Sequence, residues 1–128
     1  FEWVWLLDYY RRLFPEKRDE AFTYMERLYA WANAHGYDRD YGGIYDEQDR
    51  NGVALKDSKR VWPLCEAIKA HRAMRPYMVE TSLPLLEKTK DVLKNRYIRK
   101  DAGWVESWNR DFSSPTVDYL PGTSVYHL

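Results

Sequence analysis

Two predicted helices each carry a carboxylate beside an aromatic ring, and these side chains could take part in chemistry. Trp62 and Glu66 are spaced i, i+4, which places the carboxylate one helical turn from the indole. Glu2 and Trp5 are spaced i, i+3 on an earlier helix. A carboxylate and an indole on one face suit a ligand with hydroxyl edges and apolar faces, such as a sugar.

Each pair also has a structural interpretation. Lys59 falls on the same helical face as Glu66, so a surface ion pair of Glu66 with Lys59 or Lys69 is as well supported by spacing as a ligand site. Glu2 could be a first-turn glutamate that the helix dipole favours. The same combination on two separate helices favours the ligand interpretation over either pair alone.

His127 is the candidate general base. Thr123 or Ser124 can cap a following helix, and His127 would then lie in its first turn. The positive end of the helix dipole disfavours imidazolium there. A general base at neutral pH needs a neutral imidazole, so this position makes His127 a candidate.

The other histidines and the single cysteine have structural interpretations. His35 lies in the last turn of its predicted helix, and His71 lies on a small-residue side of a buried helix. Cys65 is flanked by core positions, with no basic partner at helical spacing. The sequence contains no metal-ligand spacing, phosphate-binding glycine loop or nucleophile elbow, so it predicts no metal and no cofactor.

Four helices must position these side chains. Apolar residues recur at the helical period over residues 1–14, 19–35 and 82–99, and over a third helix that runs from a cap at Asp57 or Ser58 to about Met74. The third helix is apolar or small nearly all round and should be buried, whereas the fourth carries a charged side and should lie outside.

Two predicted hairpins follow the helix pairs and resemble each other. Residues 43–51 align with residues 103–111 at a constant offset of 60, with Gly and Arg identical at the two ends. Helix, helix, hairpin is then one unit repeated, which packs as an open solenoid or a closed ring. The contrast between the third and fourth helices favours a ring, and chance similarity of two hairpins is the alternative.

Composition excludes several classes of protein. The 128 residues suffice for one domain, and 20 basic residues balance 20 acidic ones, so no strong field attracts nucleic acid or an anionic membrane. No apolar run approaches the roughly 20 residues of a membrane-spanning helix. One cysteine precludes an internal disulfide and favours a reducing compartment, the cytoplasm.

Three segments resemble the N-acylglucosamine 2-epimerase family. Residues 59–67, KRVWPLCEA, are similar to its basic-x-Trp-Pro-x-x-Glu signature, and residues 1–7, FEWVWLL, resemble the end of its Pro-Gly-His-x-x-Glu-Trp segment. Residues 121–128, PGTSVYHL, are similar to its closing Ser/Thr-x-Tyr-His motif. The resemblance covers essentially the whole chain. It implies an all-α fold, part of an (α/α)6 barrel in which helix pairs form a toroid with short β-hairpins between them.

The resemblance also implies proton transfer at C2 of an opened monosaccharide, of the mannose/fructose or N-acetylglucosamine/N-acetylmannosamine type. Two histidines act as acid and base in that family; His127 matches one, and the other would fall two positions before Phe1. Glu66 matches the glutamate that hydrogen-bonds the sugar, and Trp62 matches the aromatic wall beside it. Glu2 matches the glutamate three residues after the other histidine.

We therefore expect residues 1–128 to be the C-terminal portion of one catalytic domain, truncated at both ends and inactive alone. Leu64 stands where many isomerase members carry Gln, so epimerase and isomerase both stay open, as does a homodimer of the full-length protein. One alternative is a barrel glycoside hydrolase or lyase in which Glu2 acts with Glu66 or Glu106. The other is a non-catalytic carbohydrate-binding helical-repeat protein.

Overall fold

The computed structural model describes residues 1–101 and 103–127, which form two pairs of α-helices. α1 packs against α2 and α3 packs against α4, and the two pairs meet through α1 and α3. The four predicted helices are confirmed, with ends that differ by a few residues. Their bounds are α1 Glu2–Leu13, α2 Arg18–His35, α3 Val61–Met74 and α4 Val79–Val92, which continues as a π-helical turn over Leu93–Tyr97.

The start of α3 differs from the prediction of a cap at Asp57 or Ser58. Residues Lys59–Arg60 form a strand that pairs with Ser107–Trp108, so Arg60 has extended backbone and occupies the N-cap position without a side-chain cap. The Val61 amide donates to the backbone oxygen of Glu106 at 2.9 Å instead. A sheet contact therefore satisfies the helix end, and the prediction that Lys59 lies on the helical face of Glu66 is wrong.

α3 is the buried helix, as its composition predicted. Nine of its 14 residues are buried, and its apolar side chains belong to both clusters of the core. Cys65 is among them and packs in the core, also as predicted. α4 has three buried residues and carries an exposed pair, Glu87 with Lys90, on its outer side.

The two hairpins are structural repeats. The first pairs strand β1, Glu47–Gln48, with β2, Ala54–Lys56. In the second, β4, Ser107–Trp108, lies 60 residues after β1, and the returning segment contacts it through a bridge between Trp108 and Pro115 and a hydrogen bond from the Thr116 amide to the Ser107 backbone oxygen at 2.9 Å. On its other side β4 pairs with β3, Lys59–Arg60. The turn positions Gly52 and Phe112, also 60 apart, both have left-handed backbone, with φ of 82° and 62°. A left-handed non-glycine residue costs about 1–3 kcal/mol. The Phe112 ring offsets that cost by packing in the core.

A buried ion pair joins the two hairpins. Lys59 and Asp38 are fully buried, and the Lys59 ammonium donates to Asp38 at 3.0 Å and to the backbone oxygens of Gly42 and Arg110. The Arg110 guanidinium donates to the same carboxylate at 2.9 Å. Although burial opposes its charge, the bonds from Arg110 and Lys59 hold the pKa of Asp38 well below its usual range.

His71 is a core residue, as the sequence predicted. It is fully buried, and its two ring nitrogens lie 2.7 Å from the hydroxyl groups of Tyr29 and Tyr37. Burial lowers the pKa of His71 to about 4. The imidazole is therefore neutral at pH 7 and has no free nitrogen for catalysis.

The pKa of His71 predicts an acid-sensitive fold. Because its pKa is lower in the folded than in the unfolded chain, its contribution to stability is complete above about pH 6.5 and is lost as pH falls toward 4, by about 3 kcal/mol in all. Chemical denaturation at several pH values measures this decline. A His71→Gln variant cannot titrate there and should lack the decline; an identical decline in the variant would assign it to other groups.

Candidate active site

A cavity of about 620 Å³ lies where the starts of α1 and α3 approach the second hairpin and the C-terminal segment. Its walls include three of the predicted site residues, Glu2, Trp62 and His127. The fourth, Glu66, lies directly behind this wall and contacts His127. The structure thus brings together the four residues that the sequence singled out.

Glu66 is the centre of the site's hydrogen bonds. Its carboxylate is 1% exposed and accepts hydrogen bonds from the Trp5 indole, from the Lys69 ammonium at 2.8 Å and from His127 Nδ1 at 2.7 Å. Burial opposes its ionisation, but the bonds from Lys69, His127 and Trp5 outweigh that effect and lower the pKa of Glu66. Glu66 is therefore a carboxylate at neutral pH.

This carboxylate determines the tautomer of His127. An ionised carboxylate can only accept hydrogen bonds, so Nδ1 of His127 carries the proton. In the neutral ring, Nε2 is then the unprotonated nitrogen that can accept a proton. A histidine oriented by a carboxylate in this way has the arrangement of a general base.

Aromatic rings form one side of the site. The ring centroids of Trp62 and His127 are 5.4 Å apart, with 37° between the ring planes. The guanidinium carbon of Arg60 lies 5.4 Å from the centroid of the Trp62 ring, and the ring centroids of Tyr126 and His127 are 3.9 Å apart. These contacts hold the indole beside the imidazole, so a ligand that packs on Trp62 lies next to His127.

One expectation about the site is wrong. His127 does not follow a side-chain cap: Gly122–Ser124 is a 3₁₀ turn, and the Ser124 hydroxyl donates to Glu106. The carboxylate of Glu66 is what bonds the imidazole. The alternative of an ion pair between Glu66 and Lys69 is confirmed, although Glu66 is buried and does not lie on the surface. Leu128, the last residue of the closing motif, lies outside the described residues.

Sequence reasoning missed several residues of the site. Trp5 was identified as the neighbour of Glu2, yet its indole donates to Glu66 across the α1–α3 contact. Glu106 and Ser124 were not recognised as a bonded pair at the cavity wall. One signal was available, since Glu106 aligns with Asp46 of the first hairpin at the offset of 60 residues.

Two further findings concern metals and membranes. Within residues 1–101 and 103–127, no three His, Cys, Asp or Glu side chains lie close enough together to hold a metal ion. In the same part of the chain, each helix is too short or too polar to span a membrane.

Comparison with known proteins identifies one family and several structures with a similar fold. The family model of N-acylglucosamine 2-epimerase (GlcNAc 2-epimerase) matches residues 1–128. No curated protein matches the chain in sequence. Several solved structures resemble it. Among them are cellobiose 2-epimerase from Spirochaeta thermophila DSM 6192 (TM-score 0.80, 20% identity), cellobiose 2-epimerase from Bacillus thermoamylovorans B4167 (0.82, 17%) and a D-mannose isomerase (0.85, 19%).

These likenesses establish the fold. The matches cover 94%, 97% and 98% of this chain but 30%, 32% and 32% of the three larger proteins, in the same order. The chain therefore spans about a third of the length of its structural neighbours. Its helix pairs and hairpins form part of an (α/α)6 barrel, as the sequence resemblance implied.

Proposed function

Because this chain belongs to the N-acylglucosamine 2-epimerase family, we propose that it is the C-terminal portion of a sugar epimerase or isomerase that acts at C2 of a free monosaccharide. The observation that supports this most strongly is the contact of His127 with the buried carboxylate of Glu66 beside an open cavity. That contact leaves one imidazole nitrogen available for a proton. The neighbouring indole suits a sugar ring or an opened sugar chain.

The proposed reaction begins at the hydrogen on C2 of the opened sugar, next to the carbonyl. Nε2 of His127 takes the proton, and the C–H electrons form the double bond of an enediolate while the carbonyl oxygen becomes negative. Glu66 stabilises the imidazolium that forms, through the bond to Nδ1. Return of a proton to the other face of C2 gives the epimer. Return of a proton to C1 of the enediol, with the O2–H proton passing to O1, leaves the carbonyl at C2 and gives the ketose from the aldose.

The remaining site residues have binding roles in this proposal. Trp62 packs against the apolar face of the sugar, and Glu2, which lines the same cavity, accepts hydrogen bonds from sugar hydroxyls. The second histidine of the family would precede Phe1, so we expect residues 1–128 alone to show no turnover. A reducing compartment such as the cytoplasm suits the single, buried Cys65.

A glycosidase function is less well supported by the protonation state of Glu66. A glycosidase acid must hold a proton at working pH, which requires a raised pKa. The pKa of Glu66 is lowered, because the hydrogen bonds from Lys69, His127 and Trp5 outweigh its burial. We therefore assign the proton transfer to His127 and a positioning role to Glu66.

Glu66→Gln tests this division of roles. The amide keeps the shape but no longer stabilises imidazolium, so we expect kcat of the full-length protein to fall by about 10- to 100-fold. Steady-state kinetics with mannose and N-acetylglucosamine measure the change. Glu87→Gln is the matched control, because Glu87 forms the same i, i+3 pair with a lysine but on the exposed side of α4. Equal activity of the two variants would contradict the role of Glu66.

A further inference from the structure

We propose that Glu106 is a positioning residue that holds His127 at the cavity wall through Ser124. The inference rests on the proposed function for its kinetic consequence. Its structural content, however, is independent of which reaction the site performs. Glu106 is 94% buried and Ser124 is 97% buried, so both lie within the fold although they border the cavity.

Glu106 contacts three segments that meet at the cavity. Its Oε1 accepts a hydrogen bond from the Ser124 hydroxyl at 2.8 Å, and its Oε2 accepts one from the Trp104 indole at 3.1 Å. Its backbone oxygen accepts one from the Val61 amide at 2.9 Å. One residue therefore connects the second hairpin, the start of α3 and the turn before His127.

The connection to His127 continues through the backbone of Ser124. The His127 amide donates to the Ser124 backbone oxygen at 3.1 Å. Ser124 is thus fixed by Glu106 through its side chain and fixes His127 through its main chain. Without the Glu106 contact, His127 would be held by its bond to Glu66 and by the ring contacts with Trp62 and Tyr126.

The first repeat has the equivalent arrangement. Asp46, which aligns with Glu106, accepts a hydrogen bond from the Arg60 guanidinium, and Arg60 in turn lies over the Trp62 ring. In both repeats the acid at this hairpin position contacts the segment that leads to a residue of the site. The recurrence at the same position indicates that the contact is a feature of the repeat unit.

Glu106 acts on its partners by fixing their positions. Among the described residues, both of its oxygens are bonded to neutral donors, a hydroxyl and an indole. A glutamine at this position can make both contacts, because its carbonyl accepts from Trp104 and its amide donates to the Ser124 hydroxyl, which can also act as acceptor. An alanine makes neither contact.

The kinetic test compares Glu106→Ala with Glu106→Gln in the full-length protein. We expect Glu106→Ala to lower kcat by about 10- to 100-fold with KM changed by less than about threefold, and Glu106→Gln to stay within about threefold of the parent. Glu87→Gln is the control, because Glu87 is an exposed carboxylate of α4 that pairs with Lys90, and neither residue lines the cavity. Loss of activity in the glutamine variant as large as in the alanine variant would overturn the proposal.

A second measurement separates this proposal from the proposed reaction. Nuclear Overhauser contacts between the rings of His127 and Trp62 should be present in the parent and in Glu106→Gln, and lost in Glu106→Ala. Ser124→Ala should have the same effect, which keeps the test available if Glu106→Ala does not fold. Retained ring contacts in the folded alanine variants would overturn the positioning role. Absence of sugar turnover by the parent would contradict only the proposed function.

Discussion

Replacement of His127 by alanine is expected to lower kcat of the full-length protein by about 10³- to 10⁴-fold, with a small change in KM. The alanine has no nitrogen to take the C2 proton, whereas Trp62 and Glu2 still line the cavity and still bind the sugar. Initial rates with mannose and with N-acetylglucosamine measure the loss.

His35→Ala is the control for that variant. His35 lies at the end of α2 and outside the lining of the cavity, so its loss should leave kcat within about threefold of the parent. If His127→Ala retained kcat within the same range, His127 would not be an acid or base in the reaction.

Lys59→Met is expected to lower the free energy of unfolding by about 3–5 kcal/mol. The change leaves the buried Asp38 carboxylate with one cation fewer, and it leaves the backbone oxygens of Gly42 and Arg110 without their donor. This is a large fraction of the roughly 5–15 kcal/mol that stabilises a typical domain. Denaturant titration followed by tryptophan fluorescence measures the difference.

Lys56→Met provides the matched control. Lys56 lies three residues earlier and pairs with Glu47 at 2.6 Å, but its side chain is 64% exposed. An exposed pair of this kind contributes about 0–1 kcal/mol. Equal losses of unfolding free energy in the two variants would show that the buried pair contributes no more to stability than the exposed pair.

The double variant Asp38→Asn with Lys59→Met should lose less unfolding free energy than the sum of the two single variants, because the two residues share one interaction.

The sequence allowed the framework of the fold to be predicted. Helical periodicity located the helices, and the scarcity of polar residues identified α3 as the buried one. The match between residues 43–51 and 103–111 indicated the repeat, which the backbone contacts within the two hairpins confirm. These features depend on local pattern, so one sequence is sufficient to recognise them.

The errors concern contacts between distant segments. Lys59 fitted the helical period, but its pairing with Trp108 makes it part of a strand. The turn at Ser124 looked like a cap because the sequence does not reveal that its hydroxyl is bonded to Glu106. Likewise, the bond from Trp5 to Glu66 depends on how α1 packs against α3. The residue types of the site could be predicted, and their hydrogen-bond partners could not.

The most direct test of the proposed function is hydrogen exchange at C2. The full-length protein is incubated in D2O with mannose and then with N-acetylglucosamine, and the C1–H and C2–H signals are followed by proton NMR. Proton transfer through His127 predicts that deuterium enters C2 of one of these sugars or C1 of a ketose product, and that His127→Ala abolishes the exchange. If folded protein binds either sugar but introduces no deuterium at C1 or C2, the isomerase proposal is contradicted and a binding function is favoured.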